Sequence, residues 1–114
     1  MARLGTLGAA LAALAFATGV AAQQPIKIAG LMELSGTGAT SGTNFDNGVK
    51  LAVKEINAAG GILGRKIEYT TGDTQSNPQI AKALAQKAVD DNVYVVMGPV
   101  FSGSIIVSMA ETKK

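Results

Sequence analysis

Residues 26–32 read IKIAGLM, a short and mostly apolar run. Its brevity and its isoleucines are typical of a strand that is buried on both faces, as in parallel sheets. Residues 93–97, VYVVM, form a second apolar run of the same kind. Between them, residues 66–71, KIEYTT, alternate polar and apolar side chains, which favours a half-buried strand near a sheet edge. The sequence therefore predicts three strands, in the order 26–32, 66–71 and 93–97.

The segment from Thr43 to Ala59 has the apolar periodicity of a helix that packs on this sheet. Its apolar side chains recur every three or four residues and form one stripe: Phe45, Val49, Ala52, Val53 and Ile56. We expect Thr43 to cap the start of the helix, with Asp46 in the first turn, where the helix dipole favours a negative charge. Gly60 and Gly61 supply a left-handed stop.

Two further helices are predicted after the second and third strands. Asn77 and Pro78 mark a helix start, with Asn as the N-cap and Pro at the first helical position, and this helix reaches Val89 or Asp90. The third helix is expected from Ser104 to Lys113. Strands and helices thus alternate three times, with crossovers long enough to join parallel strands. This order predicts an α/β fold with a doubly wound parallel sheet.

In such a sheet, ligands bind beyond the carboxyl ends of the strands, where the topology switches direction. With the strand order 2-1-3, the first and third strands are neighbours at that point, and residues 35–41 and 101–104 leave them. Both segments are rich in hydroxyl groups and glycine and lead into helix N-termini, whose free N–H groups suit an anion. The pattern favours a carboxylate or the acidic end of a zwitterion, although each Ser, Thr or Gly alone is more often structural.

The residue types and motifs in the chain argue against catalysis, metals and nucleotides. The chain has no Cys and no His, which removes thiol nucleophiles, thiolate and imidazole metal ligands, disulfides and the commonest general base. Residues 36–42, GTGATSG, fit neither the dinucleotide fingerprint nor the P-loop. Asp73 has no second carboxylate placed to pair with it, so we expect it to cap a loop. We therefore expect no catalytic residue, no metal site and no cofactor.

The charge pattern argues against a nucleic-acid partner. The formal net charge is only +2, and the charged residues are scattered singly or in pairs. A nucleic-acid reader is expected to carry a basic stripe with aromatic partners, and this sequence has none. Of the aromatic residues, we expect Phe45, Tyr69 and Tyr94 to pack against the sheet instead.

Residues 1–22 have the three-part pattern of a cleaved secretory signal peptide. Arg3 is followed by an uncharged apolar stretch from Leu4 to Val20, and small residues precede the polar pair Gln23 and Gln24. The alternative, an uncleaved membrane anchor, fits less well because the stretch of about 17 residues is rich in Ala and Gly, whereas a spanning helix needs roughly 20 apolar residues. We therefore expect residues 23–114 to be periplasmic.

From residue 23 onward the chain resembles the Leu/Ile/Val-binding protein family, the type I periplasmic binding proteins. The most specific element is residues 48–62, GVKLAVKEINAAGGI, with Gly64 shortly after. Residues 72–103, GDTQSNPQIAKALAQKAVDDNVYVVMGPVFSG, are similar to the family's next segment in order and spacing. The resemblance implies two α/β lobes that close on a ligand, of which residues 23–114 are the first half of lobe one. It also implies delivery of amino acids or similar small carboxylates or amides to the membrane permease of an ABC importer.

The resemblance also implies a set of ligand-binding residues. Ser102 is similar to the family serine that binds the ligand's carboxylate. Ser41 falls where some members place an aromatic side chain that lines the pocket, so its small size weakens the case for a strict branched-chain preference. Ser35, Gly36 and Ser104 resemble loop formers near the ligand. Ser76 and Phe101 stand where some members form a disulfide, which this sequence cannot form.

Two other functions share some of these features. A ligand-sensing domain of a receptor or regulator has the same fold, and a retained N-terminal anchor or a fused signalling domain would favour it. A small exported hydrolase is disfavoured by the absence of His and Cys. Family members are roughly three times longer than residues 23–114, and lobe closure needs that extra length. We therefore expect this polypeptide alone to bind ligand weakly or not at all, and its solute is left open by the sequence.

Overall fold

The computed structural model describes residues 23–114, so the predicted signal peptide lies outside the described residues. Strands and helices alternate as predicted: β1 Ile26–Met32, α1 Ala39–Ala58, β2 Ile67–Asp73, α2 Pro78–Asp90, β3 Val95–Met97 and α3 Ser102–Thr112. Within residues 23–114, no helix is long and apolar enough to cross a membrane.

The three strands form one parallel sheet in the order β2-β1-β3, which confirms the predicted topology. The central strand pairs along its full length with β2, and Ile28 lies opposite both Tyr69 and Val95. Ala29 and Leu31 of this strand are buried against Ala85 and Ala88 of α2. Helix α1 packs against β1 and β2, and its apolar stripe borders an open groove of 590 Å³ on the sheet.

Helix α1 begins at Ala39, four residues earlier than predicted, so the prediction of Thr43 as its N-cap is wrong. The first intrahelical hydrogen bond runs from the N–H of Gly42 to the carbonyl oxygen of Gly38. A segment of Gly, Ser and Thr has weak helix propensity and was expected to be a loop. It is helical here because Gly38 and Gly42 let the first turn pack directly on Glu33 at the end of β1, as described below.

Asp46 is buried in the second turn of α1 rather than exposed near its start. Its carboxylate accepts hydrogen bonds from the Tyr69 hydroxyl at 2.8 Å and the Thr71 hydroxyl at 3.0 Å, and pairs with Lys50 at 2.6 Å. Burial raises the pKa of Asp46, but the hydrogen bonds from Lys50, Tyr69 and Thr71 outweigh it and leave the pKa below its ordinary value. Burial and the bond to Asp46 raise the pKa of Tyr69 to about 12. The cluster ties α1 to β2.

The family-like stretch 48–62 also serves to join α1 to β2. Asn57 donates its side-chain amide to the carbonyl of Ile67 at 2.9 Å and accepts the Ile67 N–H at 2.8 Å. Gly60 and Gly61 have φ values of +108° and +83°, which confirms the predicted left-handed stop. These residues set where the helix ends and where the next strand begins.

Helix α2 starts as predicted, with Asn77 as N-cap and Pro78 as the first helical residue. The Asn77 side chain accepts the N–H of Gln79 at 2.8 Å and the N–H of Ile80 at 3.4 Å. We expect Asn77→Ala to lower the free energy of unfolding by about 1 kcal/mol, because these N–H groups lose their acceptor. Urea unfolding measures the change. Asn77→Asp keeps an acceptor and is expected to retain most of the stability; equal losses in both variants would contradict the cap.

The third strand is shorter than the predicted 93–97, since only residues 95–97 pair with β1. Tyr94 is 84% exposed, so the expectation that it packs against the sheet is wrong. Its N–H still donates to the carbonyl of Lys27, which holds the chain beside β1. Helix α3 begins at Ser102, two residues before the predicted start. One face of α3 packs on α2, where Ser108 donates to the carbonyl of Ala81.

Candidate functional site

The N-termini of α1 and α3 meet at the carboxyl ends of β1 and β3. Their N-cap residues are Gly38 and Phe101, and a Cβ built on Gly38 would lie 2.8 Å from Cζ of Phe101. Neither N-cap residue supplies a side-chain hydrogen bond, in contrast to Asn77 of α2. Helix N-termini carry backbone N–H groups without intrahelical partners and the positive end of the helix dipole. Each such end is suited to an anion, and the Phe101 ring bridges the two.

The first turns of these two helices supply the donors. In α1, the N–H groups of Thr40 and Ser41 precede the first intrahelical bond. In α3, that first bond runs from Ile105 to Phe101, so the N–H groups of residues 102–104 precede it. Ser41 and Ser102 are both exposed, and each can add a hydroxyl donor beside its backbone N–H. Neutral donors of this kind can hydrogen-bond a carboxylate and add no charged side chain to the site.

Glu33 lies directly beneath this surface and was not singled out by the sequence. It is 0% exposed, and its carboxylate accepts the N–H of Val100 at 3.0 Å and that of Phe101 at 3.2 Å. Cβ and Cγ of Glu33 fill the space in which a side chain on Gly38 would lie, at 2.8 and 3.0 Å from a built Cβ. The carboxylate therefore ties the end of β1 to the segment that leads into α3. Glutamate is rarely buried, so the sequence pattern at the end of this strand did not predict a buried Glu33.

Asp73 at the end of β2 holds the loop that follows β1, as the sequence predicted. Its carboxylate accepts the N–H of Leu34 at 2.9 Å, the N–H of Ser35 at 3.2 Å, the Ser35 hydroxyl at 2.7 Å and the N–H of Gln75 at 2.8 Å. Burial raises the pKa of Asp73, but the bonds from Gln75, Ser35 and Leu34 outweigh it and hold the pKa below its ordinary value.

Ser76 makes a second link between the same two loops. Its hydroxyl donates to the carbonyl of Ser35 at 2.8 Å and accepts the N–H of Gly38 at 2.9 Å. Gly36 has a φ of +77°, and a Cβ there would lie 2.9 Å from both the Gln75 carbonyl oxygen and the Ser76 hydroxyl. Only glycine fits this turn without strain. Ser76 stands at one of the two positions where the family resemblance implied a disulfide in other members, but its hydrogen bonds go to the loop after β1 rather than to Phe101.

The residues predicted to contact ligand have different positions at this rim. Ser41 and Ser102 are exposed in the first turns of α1 and α3, whose N-caps touch. Ser35 is exposed, but its hydroxyl is bonded to Asp73, and Gly36 shapes the turn. Ser104 is only 1% exposed and lies on the face of α3 that packs on α2; its hydroxyl has no hydrogen-bond partner among the described residues. The ligand-binding roles of all five stay predictions.

The low pKa of Asp73 predicts a pH dependence of stability. A carboxylate whose folded pKa is depressed stabilises the protein above its unfolded pKa, near the ordinary value of 3.8, and loses that contribution as the pH falls through the folded pKa. We expect Asp73→Asn to lower the free energy of unfolding at pH 7. Between pH 4 and pH 2, the free energy of unfolding of this variant should fall less than that of the parent chain. Urea midpoints across this range measure the difference. Parallel pH profiles for the two proteins would contradict it.

Comparisons with known proteins agree with this geometry. Residues 25–114 match the model of the periplasmic binding protein family. The chain is 41% identical over 104 residues to the Leu/Ile/Val-binding protein BraC3 of Rhizobium johnstonii, an alignment that covers 90% of this chain and 28% of the relative. It is 38% identical over 102 residues to the leucine-, isoleucine-, valine-, threonine- and alanine-binding protein of Pseudomonas aeruginosa, covering 90% and 27%.

A solved structure gives the same result for the fold. The branched-chain amino acid transporter substrate-binding protein LivJ of Streptococcus pneumoniae, in complex with isoleucine, superposes with a TM-score of 0.76 at 39% identity. The match covers 78% of this chain and 26% of that protein. The chain thus spans between a quarter and three tenths of the length of these three proteins. All three are named as binding proteins, and their names describe no catalysis.

Proposed function

Since the chain belongs to the periplasmic binding protein family, we propose that it supplies the carboxylate-binding part of an extracytoplasmic solute-binding protein of an ABC importer. The ligand is an amino acid or a related small carboxylate or amide. The observation that carries this proposal is the contact between the Phe101 ring and Gly38, the N-cap residues of α3 and α1. Each of these helix N-termini offers unpaired N–H groups and an exposed serine hydroxyl to a carboxylate.

The chemistry of the rim supports a carboxylate end rather than a phosphate or a metal. Hydroxyl and backbone N–H donors face the rim, and no lysine or arginine lies within residues 33–42 or 98–104. Phosphate sites commonly add a positively charged side chain to the N–H groups. Ser102 is the first residue of α3, and this position supports the carboxylate-binding role that the family resemblance implies.

The same proposal includes an importer permease as the partner and export through a cleaved signal peptide. The name of the LivJ protein of Streptococcus pneumoniae, a branched-chain amino acid transporter substrate-binding protein, supports the importer as partner. The pattern of residues 1–22 supports export, with the mature chain beginning at Gln23. An exposed Ser41 on α1 leaves room beside the ligand, which favours a binding site that accepts side chains larger or more polar than those of the branched-chain amino acids.

A chimera tests the proposal with a second lobe in place. Residues 25–114 replace the matching segment of the Rhizobium relative, and thermal shifts are recorded with each common amino acid. A ligand that binds only the folded protein raises its melting temperature by mass action. We expect at least one neutral amino acid to raise it by several degrees. A folded chimera that responds to none, while the unaltered relative responds to leucine, would contradict the proposal.

A further inference from the structure

The buried carboxylate of Glu33 occupies donors at the entrance to the α3 helix. Its two oxygens accept the N–H groups of Val100 and Phe101, at 3.0 and 3.2 Å. Each oxygen thus has a backbone N–H as its partner, and the side chain makes no other hydrogen bond among the described residues. The side chain is 0% exposed and is held between Gly38 above and the end of β1 below. It is therefore a fixed part of the rim rather than a mobile surface charge.

This carboxylate is close to the donors that remain free. Ser102 follows Phe101 in the chain, and consecutive residues are about 3.8 Å apart, so the Glu33 oxygens lie within about 7 Å of the Ser102 N–H. That separation is shorter than the screening length of about 8 Å at physiological salt, and burial weakens screening further. An anion bound at Ser102 thus experiences the helix dipole and a negative charge together.

We propose that Glu33 is a specificity-determining residue that limits the charge of the ligand. This inference rests on the proposed function and narrows its ligand class. The free N–H groups of α3 donate to one carboxylate, while Glu33 opposes any second negative charge on the ligand. The site then takes a monocarboxylate whose remainder is neutral or positively charged, such as a zwitterionic amino acid, and discriminates against dicarboxylates and other dianions.

The proposal is tested by anion titration of the 114-residue chain, followed through the amide signals of Ser102 and Gly103 in nuclear magnetic resonance spectra. Acetate and sulfate are the monovalent and divalent probes. Since the Coulomb energy scales with the product of the charges, removing the Glu33 charge affects sulfate as the square of its effect on acetate. We expect Glu33→Gln to raise acetate affinity about threefold and sulfate affinity about tenfold.

Glu68→Gln is the matched control, because it removes the same charge from an exposed position near the opposite end of β2. We expect it to leave both affinities unchanged. Equal gains in the two variants would mean that net charge alone matters and would overturn the role of Glu33. Unchanged or weaker binding of both anions in Glu33→Gln would overturn it as well, while leaving the anion seat intact.

A comparison within the unaltered chain gives a second readout that does not depend on the folding of a variant. A bare helix N-terminus favours the more highly charged anion. With Glu33 in place, we expect sulfate to bind no more tightly than acetate, and a several-fold preference for sulfate would overturn the inference. If neither anion shifts the Ser102 and Gly103 signals, the proposed carboxylate seat itself fails, and the role of Glu33 fails with it.

Discussion

Gly42→Ala is expected to lower the free energy of unfolding by about 3 kcal/mol, although alanine is the better helix former. Gly42 is buried in the first turn of α1, and a Cβ there would lie 2.1 Å from the carbonyl oxygen of Glu33. Backbone atoms cannot rotate away as a side chain can, so the helix must move off the end of β1. That movement would also shift the N-terminus of α1 relative to that of α3.

Gly48→Ala is the matched control, because it makes the same substitution in the same helix. A Cβ at Gly48 meets nothing within 4 Å, so we expect this variant to gain about 0.5–1 kcal/mol from the smaller entropy of the unfolded chain. Urea unfolding followed by circular dichroism measures both. If Gly42→Ala is as stable as Gly48→Ala, the close packing of α1 on Glu33 is wrong.

Ser102→Ala in the chimera with the Rhizobium relative is expected to weaken amino-acid binding about 10- to 100-fold. A hydrogen bond to a charged group contributes roughly 1.5–3 kcal/mol, and each 1.4 kcal/mol is a factor of ten in the dissociation constant. Ser102 is exposed at the first position of α3, so its hydroxyl has no structural partner to lose. The loss should therefore be seen in the dissociation constant and not in the melting temperature of the unliganded protein.

Thr43→Ala is the control for this measurement. Thr43 is also an exposed hydroxyl residue near the rim, but it lies inside α1 beyond the first turn rather than at its N-cap. We expect it to change neither ligand affinity nor stability by a measurable amount. Isothermal titration calorimetry measures the dissociation constants of the two variants. An equal loss of affinity in both would contradict a role for Ser102 in ligand binding.

The order of elements could be predicted from the sequence because it depends on local patterns. The apolar runs 26–32 and 93–97, the Asn77–Pro78 start and the Gly60–Gly61 stop each act through their own neighbours in the chain. The family-like stretch 48–62 includes Asn57, whose amide bonds Ile67 in both directions. The most recognisable part of the sequence therefore specifies the fold, while the candidate ligand contacts lie outside it.

The features that could not be predicted depend on contacts between distant parts of the chain. Helix α1 starts early because Gly38 and Gly42 pack on Glu33, and no local pattern in a Gly-, Ser- and Thr-rich segment indicates such packing. The buried positions of Asp46 and Glu33 need partners 23 or more residues away. Tyr94 is exposed because β3 is only three residues long, which its apolar sequence did not indicate.

We propose that the N-termini of α1 and α3 together bind the carboxylate of an amino acid. The most direct test titrates the isotopically labelled 114-residue chain with leucine and with leucinamide, which has the same side chain and amino group but no carboxylate. We expect leucine to shift the amide signals of Ser41, Ser102 and Gly103 at millimolar concentrations, and leucinamide not to shift them. Equal shifts with both ligands, or shifts confined to the apolar groove beside α1, would contradict it.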